Sequence, residues 1–541
     1  MPGFFVENFG CRATQADGAA LERQFEERGL SRASSPKSAS VVVLNTCTVT
    51  TGADRDARAA IRRVRRQNPE ARIVVTGCYA QRAPKEIAAL PGVDLVVGNS
   101  HKHHLAEIVG SVVGRTASDS TLHSAAKPVS DSDPFCDSAW HIGSESFSAS
   151  GWRSTSSAAN EPAGLERASG PAMPAFIPLV TLSAGSPKPE AGSPVYVSDI
   201  FAHTELLAAP VFDAANERAR PNLKIQDGCD NRCSFCVIPY VRGQSRSLET
   251  KRIVREITTL VKAGYREVVI SGINLGRWGR DLDLRPPASD LGRTATVEVE
   301  GPSSEVYGQR SVSRKSTLTG LIRAILTETS LEKLRISSVE PMDWSDELIF
   351  LMASSSRIAK HAHVPMQSGS DAVLRRMHRK YRPWHYREKI EKIRAAMPTA
   401  AIGADVMVGF PGETDSEFEA TRRLVEDLSF TYLHVFTYSA RPGTPAAGML
   451  NQAPVQVARE RNRILRELAS EKKLAFMRGF VGKSVEAITL NLVGSDEDGE
   501  FTEALTHNYL KLRLRGRHEP NRWQTANVQK VATGSLVGSA A

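Results

Sequence analysis

Residues 224–243 read KIQDGCDNRCSFCVIPYVRG, and three of the chain's seven cysteines fall inside that stretch as Cys229, Cys233 and Cys236. The spacing C-x3-C-x2-C lets three thiolates converge on one inorganic centre, and soft sulfur ligands select zinc or an iron-sulfur cluster. The fourth ligand separates those two outcomes. Structural zinc takes four protein ligands, and no further cysteine or histidine lies between Gln226 and Gly243. Three cysteines instead suit a cubane cluster with one open iron, where a small molecule can bind and accept an electron. A zinc knuckle or idle thiols is the plainer alternative.

Apolar runs alternate with helical periodicity from about residue 223 to 440: LKIQ, EVVIS, KLRISS, AHVPM, AIGADVMVGF and TYLHVFTY, separated by segments such as TKRIVREITTLVKAG. The fold class is α/β, and this part predicts a parallel βα array, a partial barrel of six strands. In such folds chemistry gathers at the carboxyl ends of strands. The cysteine triplet follows the first run, Gly272 and Asn274 the second, Glu340 the third, Gln367 the fourth, Gly409 to Glu413 the fifth and Arg441 to Thr444 the sixth. Singly, each reads as an ordinary loop residue; a shared edge makes them candidates together.

With Phe235 just before the last cysteine, the triplet resembles that of the radical S-adenosylmethionine enzymes. The resemblance implies a 4Fe-4S cluster whose open iron is chelated by the amino and carboxylate groups of S-adenosylmethionine. An electron from the cluster then cleaves the sulfonium to a 5'-deoxyadenosyl radical, while the protein supplies orientation and excludes water. Phe235, Gly272, Asn274, Glu340 and Gln367 are the expected cofactor-binding residues: Gly272 against the methionine moiety, Glu340 or Gln367 toward its ammonium or the ribose hydroxyls.

Three more cysteines are spread through the first eighty residues. Cys11 follows FFVENFG, Cys47 follows VVVLNT and Cys78 follows RIVVTG, each just beyond a β-rich run, and a fourth run, DLVVGN, ends without a cysteine. Right-handed βαβαβ connections make such strands parallel, so the three thiols emerge on one sheet edge. A single buried cysteine is ordinary core; three at equivalent positions predict a second three-coordinate 4Fe-4S cluster, again with one iron free.

Two such clusters in one chain resemble the methylthiotransferase family, over residues 1 to about 115 and 216 to 535. The phrases NFGCRATQAD, LNTCTVTTGADRDARAAIRR, TGCYAQ and KIQDGCDNRCSFCVIPYVRGQSRS look most like the branch acting on threonylcarbamoyladenosine in transfer RNA. Sister branches modify isopentenyladenosine in transfer RNA or an aspartate of a ribosomal protein. The resemblance implies hydrogen removal from C2 of adenosine 37, sulfur insertion there from the second cluster, and methyl transfer from a second S-adenosylmethionine. A sulfur source and a low-potential electron donor are implied partners. An aromatic C–H has no acid-base handle near neutral pH, so a general base alone is inadequate.

The remaining sequence sets the boundaries. With 541 residues and 41% hydrophobic content, several cores can form. No run of eighteen apolar residues exists, and the start MPGFFVENFG lacks a secretory pattern, so the expected location is the cytoplasm, without a membrane partner. An odd, small cysteine count argues against a disulfide framework. A net charge of +9 fits a polyanionic partner such as RNA.

Expected domains are 1–115 with the second cluster; 116–215, a Ser/Ala/Pro-rich flexible insert containing Cys136; 216–455, the radical domain, with a loop insert at 283–316; 456–475, a helical connector; and 476–535, a small all-β barrel resembling the RNA-binding TRAM domains. In the last, YLKLRLR at 509–515 alternates Leu510, Leu512 and Leu514 with Lys511, Arg513 and Arg515, which are expected to face the anticodon loop of transfer RNA; a plain solvated strand face is the alternative. ADRDARAAIRRVRRQN predicts a helix with six arginines that either grips RNA or is simply exposed. HKHH at 101–104 is read as a helix start rather than a ligand set. Outside enzymology, the alternative is an iron-sulfur RNA-binding module.

Overall fold

The segment Val41–Thr46, VVVLNT, is buried at every position, as a β-branched run covered on both faces must be in a parallel sheet. It lies at the centre of an N-terminal sheet in a computed structural model that describes residues 3–115, 193–203, 206–207, 220–284, 316–532 and 534–541. Its parallel neighbours are Gly3–Asn8 on one side and Arg72–Gly77, then Leu95–Gly98, on the other. Helices Arg12–Glu27 and Thr51–Gln67 supply the crossovers. The second begins where the Thr50 side chain accepts from the Ala53 N–H at 3.2 Å, satisfying one of the helix's orphan donors.

The expected insert 116–215 lies mostly outside the described residues, Cys136 included. Its described part holds a surprise, because Val195–Tyr196 pairs in parallel with the Leu95–Gly98 strand and extends the sheet by one. Two residues are too few for periodicity to announce. Residues 285–315 of the second expected insert also lie outside the described set.

All six apolar runs of the central part contain strands. Asn222–Lys224, Glu267–Ser271 and Lys333–Ile336 form one parallel sheet. His361–His363, Ala401–Val408 and Tyr432–Thr437 form another. Parallel bridges from Leu334 to Ile358 and from Ser338 to His363 join the two into one arc, a six-stranded partial barrel. Helices pack outside it: in TKRIVREITTLVK, Ile253, Ile257 and Leu260 recur at helical spacing and are the buried positions.

Helix Val455–Arg478 leads to a closed five-stranded barrel made of Ser484–Asp496, Gly499–Thr506, Lys511–Arg515, Ser535–Ala540 and Trp523–Ala532. Leu510, Leu512 and Leu514 fill its core as the alternation requires. The strand Ser535–Ala540 lies past the expected end at 535; it pairs with both Lys511–Arg515 and Trp523–Ala532 and closes the barrel. Among the described residues no helix is long and apolar enough to cross a membrane.

The N-terminal and central domains are joined by buried charge. Asp17, on the helix that follows Cys11, accepts from Lys102 Nζ at 3.1 Å, from Arg242 Nη2 at 3.0 Å and from Lys224. Asp227 accepts from Lys224 at 2.8 Å and, through both oxygens, from Arg242 Nη1 at 3.0 Å. A second clamp joins Arg441, past the sixth barrel strand, to Asp54 and to Thr48 Oγ1 at 2.9 Å. Burial alone would raise the Asp17 carboxyl, but Lys102, Lys224 and Arg242 outweigh it and bring it from 3.8 down to about 2.

Asp17→Asn should therefore destabilise the chain by about 3–5 kcal/mol, because it strands buried cations without a carboxylate. Denaturant unfolding of the full chain checks this. Since the folded carboxyl titrates below its unfolded value, the stabilisation is complete above about pH 4 and disappears as pH falls through about 2. The gap between wild type and Asp17→Asn should close over that window.

Candidate active site

The first triplet occupies the loop after the first barrel strand. Gly228 opens it at φ 72°, a conformation costly to other residues, with the Gln244 carbonyl where a side chain would stand. The Cys229 N–H donates to Gly243 O at 3.0 Å and fixes the loop's return. Each polar contact to these sulfurs is a donor: the Asn231 N–H reaches Cys229 Sγ at 3.4 Å, Asn274 Nδ2 reaches the same sulfur at 3.6 Å, and Arg379 Nη1 reaches Cys233 Sγ at 3.3 Å. Arg379 is buried; its other groups pair with Glu340 and, at 3.2 Å, with the Tyr381 hydroxyl. Tyr381 in turn donates to Met366 O at 2.7 Å, one residue before Gln367. One side-chain chain thus links Cys233 to the ends of the third and fourth strands.

Among the buried polar atoms without partners at this edge are Asn274 Oδ1 and Gln367 Oε1. Gln367 also sits at φ 64°, left-handed backbone that a non-glycine adopts at a cost and that gathers at functional sites. Phe235 meets Phe410 edge-on, with ring centroids 6.4 Å apart, and keeps one flank of the loop apolar. Gly272 packs on Gln226: a Cβ there would fall 2.8 Å from its Oε1, so only bare backbone fits.

The second triplet is built by topology. Cys11, Cys47 and Cys78 leave three adjacent parallel strands at their carboxyl ends. Cys11 is the N-cap of helix Arg12–Glu27, and Cys78 opens helix Cys78–Arg82. Gly10, at φ 100°, lies directly on Cys47; a Cβ there would be 2.6 Å from the Cys47 Cβ. Asn99 Nδ2 donates to Cys78 Sγ at 3.6 Å and to Val241 O at 2.7 Å. Val237, next after Cys236, and Val241, one turn further on, pack on Cys78. A five-residue helix, Ile238–Arg242, therefore runs from one triplet to the other, and Arg242 lies within electrostatic reach of Cys11, Cys47 and Cys78.

These pockets fit sulfur-ligated clusters. Soft thiolates are the donors that such clusters take. Burial and the neighbouring Cys78 push the Cys47 thiol up to about 12, and burial with Cys233 does the same to Cys236. Thiols so disfavoured as free anions give up their protons to a metal centre, whose positive charge offsets the desolvation. Lys102, Lys224 and Arg242 face Asp17 and Asp227, leaving one positive charge over, beside the second triplet.

Residues 3–98 match the uncharacterized protein family UPF0004, and residues 223–425 match the radical SAM superfamily. Over 94% of its length the chain is 31% identical to the threonylcarbamoyladenosine tRNA methylthiotransferase MtaB of Bacillus subtilis, covering 90% of that protein. The protein of the same name from Aquifex aeolicus is 30% identical, over 95% of this chain and 97% of that one. The tRNA-2-methylthio-N(6)-dimethylallyladenosine synthase of Novosphingobium aromaticivorans is 31% identical, over 90% and 86%. The chain belongs to the radical S-adenosylmethionine methylthiotransferase family. As a radical S-adenosylmethionine protein, it uses a 4Fe-4S cluster and S-adenosylmethionine.

Within this methylthiotransferase the expected site residues divide. Cys229, Cys233, Cys236, Asn274 and Glu340 meet in one set of contacts, and Gln367 stands beside it through Met366 and Tyr381. Arg379 is the residue that sequence reasoning missed: its stretch, HRKYR, has no motif spacing, and only the fold brings it to Cys233. HKHH contributes Lys102 to the buried ion cluster rather than a ligand set. In the arginine-rich helix, Arg58, Arg63 and Arg65 pair with Glu86, Glu7 and Asp94. In the C-terminal barrel, Lys511 is exposed, whereas Arg513 and Arg515 pair with Asp496, and Arg515 also with Asp498.

Arg379→Met should weaken iron retention by about tenfold, the scale on which groups supporting metal ligands act, because it leaves Cys233 without its donor and Glu340 without its cation. Arg379→Lys should recover part of the loss. Iron per chain after reconstitution and gel filtration reads both.

Proposed function

We propose that this chain 2-methylthiolates N6-threonylcarbamoyladenosine at position 37 of transfer RNA, with the anticodon loop as its macromolecular substrate. The observation that carries the proposal is the pair of cysteine triplets at neighbouring strand ends, tied by the Ile238–Arg242 helix and the Asp17 ion cluster. A single-cluster radical enzyme has no use for the second.

Cys229, Cys233 and Cys236 would hold the radical-generating cluster, and Cys11, Cys47 and Cys78 a second one. When bound, the first cluster with S-adenosylmethionine supplies hydrogen abstraction at an unactivated carbon, and the second supplies sulfur. The chain's own residues orient and insulate. Arg379 and Asn274 direct N–H donors at the sulfurs and stabilise their anionic form. Asn274 Oδ1 and Gln367 Oε1 offer buried acceptors for cofactor ammonium or hydroxyl groups. Burial pushes the Glu340 carboxyl up, and Arg379 beside it pulls the other way. Phe235 against Phe410 keeps water from the loop. Lys511, exposed on its strand, is suited to phosphate contact; Arg513 and Arg515 would first have to exchange their aspartate partners.

The threonylcarbamoyl reading rests on the phrases around Cys11, Cys47 and Cys78 and on the relatives from Bacillus subtilis and Aquifex aeolicus. A dimethylallyl substrate is the second reading, favoured by the relative from Novosphingobium aromaticivorans at equal identity to the first. Mass spectrometry of transfer RNA nucleosides from a deletion strain decides between them: the methylthio derivative of threonylcarbamoyladenosine should vanish and return on complementation. Loss of the dimethylallyl derivative instead would overturn the first reading. Cys233→Ala should abolish S-adenosylmethionine cleavage, whereas Cys47→Ala should keep cleavage and stop methylthiolation; assays of 5'-deoxyadenosine and of modified transfer RNA separate the two.

A further inference from the structure

His363, Asp405 and His434 lie on the fourth, fifth and sixth barrel strands. Asp405 alternates with Ala404, Val406 and Val408, which are buried in the hydrophobic core, so its side chain turns to the opposite, inner face. His434 is its register partner on the next strand. His363 Nε2 stands 3.4 Å from Asp405 Oδ1, and His434 Nδ1 stands 3.3 Å from the same oxygen. Among the described residues this is the one group in which three ligand atoms from His, Cys, Asp or Glu all lie within 4.8 Å of one another.

The hydrogen bonding of His363 leaves this arrangement incomplete. Its Nδ1 is 3.0 Å from Ser338 Oγ, an orienting contact of the kind that fixes the tautomer of metal-bound histidine. In the tautomer with its proton on Nδ1, donated to Ser338 Oγ, the ring presents an Nε2 lone pair to the carboxylate oxygen. Nε2 is buried and has no hydrogen-bond partner, and the residue is 9% exposed. An acceptor nitrogen and a carboxylate oxygen 3.4 Å apart are satisfied by a cation between them.

We propose that His363, Asp405 and His434 form a divalent transition-metal site on the inner wall of the barrel, separate from both cysteine triplets. Ligand atoms about 3.4 Å apart are the edges of a polyhedron with metal–ligand bonds of about 2.1 Å. Two imidazoles and one carboxylate suit a first-row divalent ion such as zinc or iron(II), and bind manganese(II) more weakly. The His434 side chain is 63% exposed, so the remaining positions open toward the barrel interior and accept water or another oxygen donor. This site goes beyond the reaction proposed above and does not depend on which nucleoside is modified.

The test uses the cluster-loaded full chain with its clusters oxidised, titrated with manganese(II) and followed by electron paramagnetic resonance of the free ion. One equivalent should bind and be displaced by zinc. Asp405→Asn and His434→Ala should each weaken binding by at least about tenfold, with iron content and melting temperature unchanged. No binding up to about 1 mM, where association is worth about 4 kcal/mol, would mean that the three residues are a hydrogen-bonded triad, and the proposal fails. Binding that survives both substitutions places the ion elsewhere and equally overturns it.

Discussion

Asp17 is the carboxylate around which the two halves of the active unit are arranged. It stands on a helix capped by one cysteine of the second triplet and takes Lys224 and Arg242 from the segments flanking the first. Buried ions seldom add much net stability, but they are unforgiving about geometry, because a displaced partner leaves a bare charge in a low-dielectric interior. That sensitivity suits two sulfur-lined pockets that must keep a fixed separation. Hydrophobic contact alone would allow the domains to slide at modest cost; here Val241 packs on Cys78 while Arg242, the next residue, is held by two aspartates.

Much of this organisation was legible in the amino-acid order. Where periodicity is long and uninterrupted, as in VVVLNT or AIGADVMV, burial follows directly, and parallel crossovers carry Cys11, Cys47 and Cys78 to one edge without further information. The alternation in YLKLRLR likewise gives both the barrel core and its outward cations. What could not be read is pairing between distant charges. Lys102 sits in a histidine-rich run that looks like a solvated turn, and nothing local says that it reaches Asp17 and Asn45. Arg379 is equally silent, since its partners Cys233 and Glu340 come from two other strand ends. Nothing local marks Asp496 and Asp498 as the neutralising partners of Arg513 and Arg515.

Backbone strain also marks this edge. Gln367 holds left-handed backbone where its neighbours hydrogen-bond to the fifth strand, and its side-chain oxygen is left without a donor. A residue kept in an unfavourable conformation with an unsatisfied acceptor is characteristic of a surface shaped for something it will bind. Tyr509, at φ 70°, is the counterpart from the C-terminal barrel: its ring lies 4.7 Å from that of His361, and its hydroxyl accepts from Arg12 at 3.1 Å. All three domains therefore meet at one tyrosine on the inner side of the barrel.

The short strand Val195–Tyr196 also changes what the N-terminal sheet presents to its surroundings. Paired with Leu95–Gly98, it covers backbone N–H and C=O groups that an open edge would offer to the strand of another chain. Two residues thus blunt one edge of the sheet at the cost of almost no sequence.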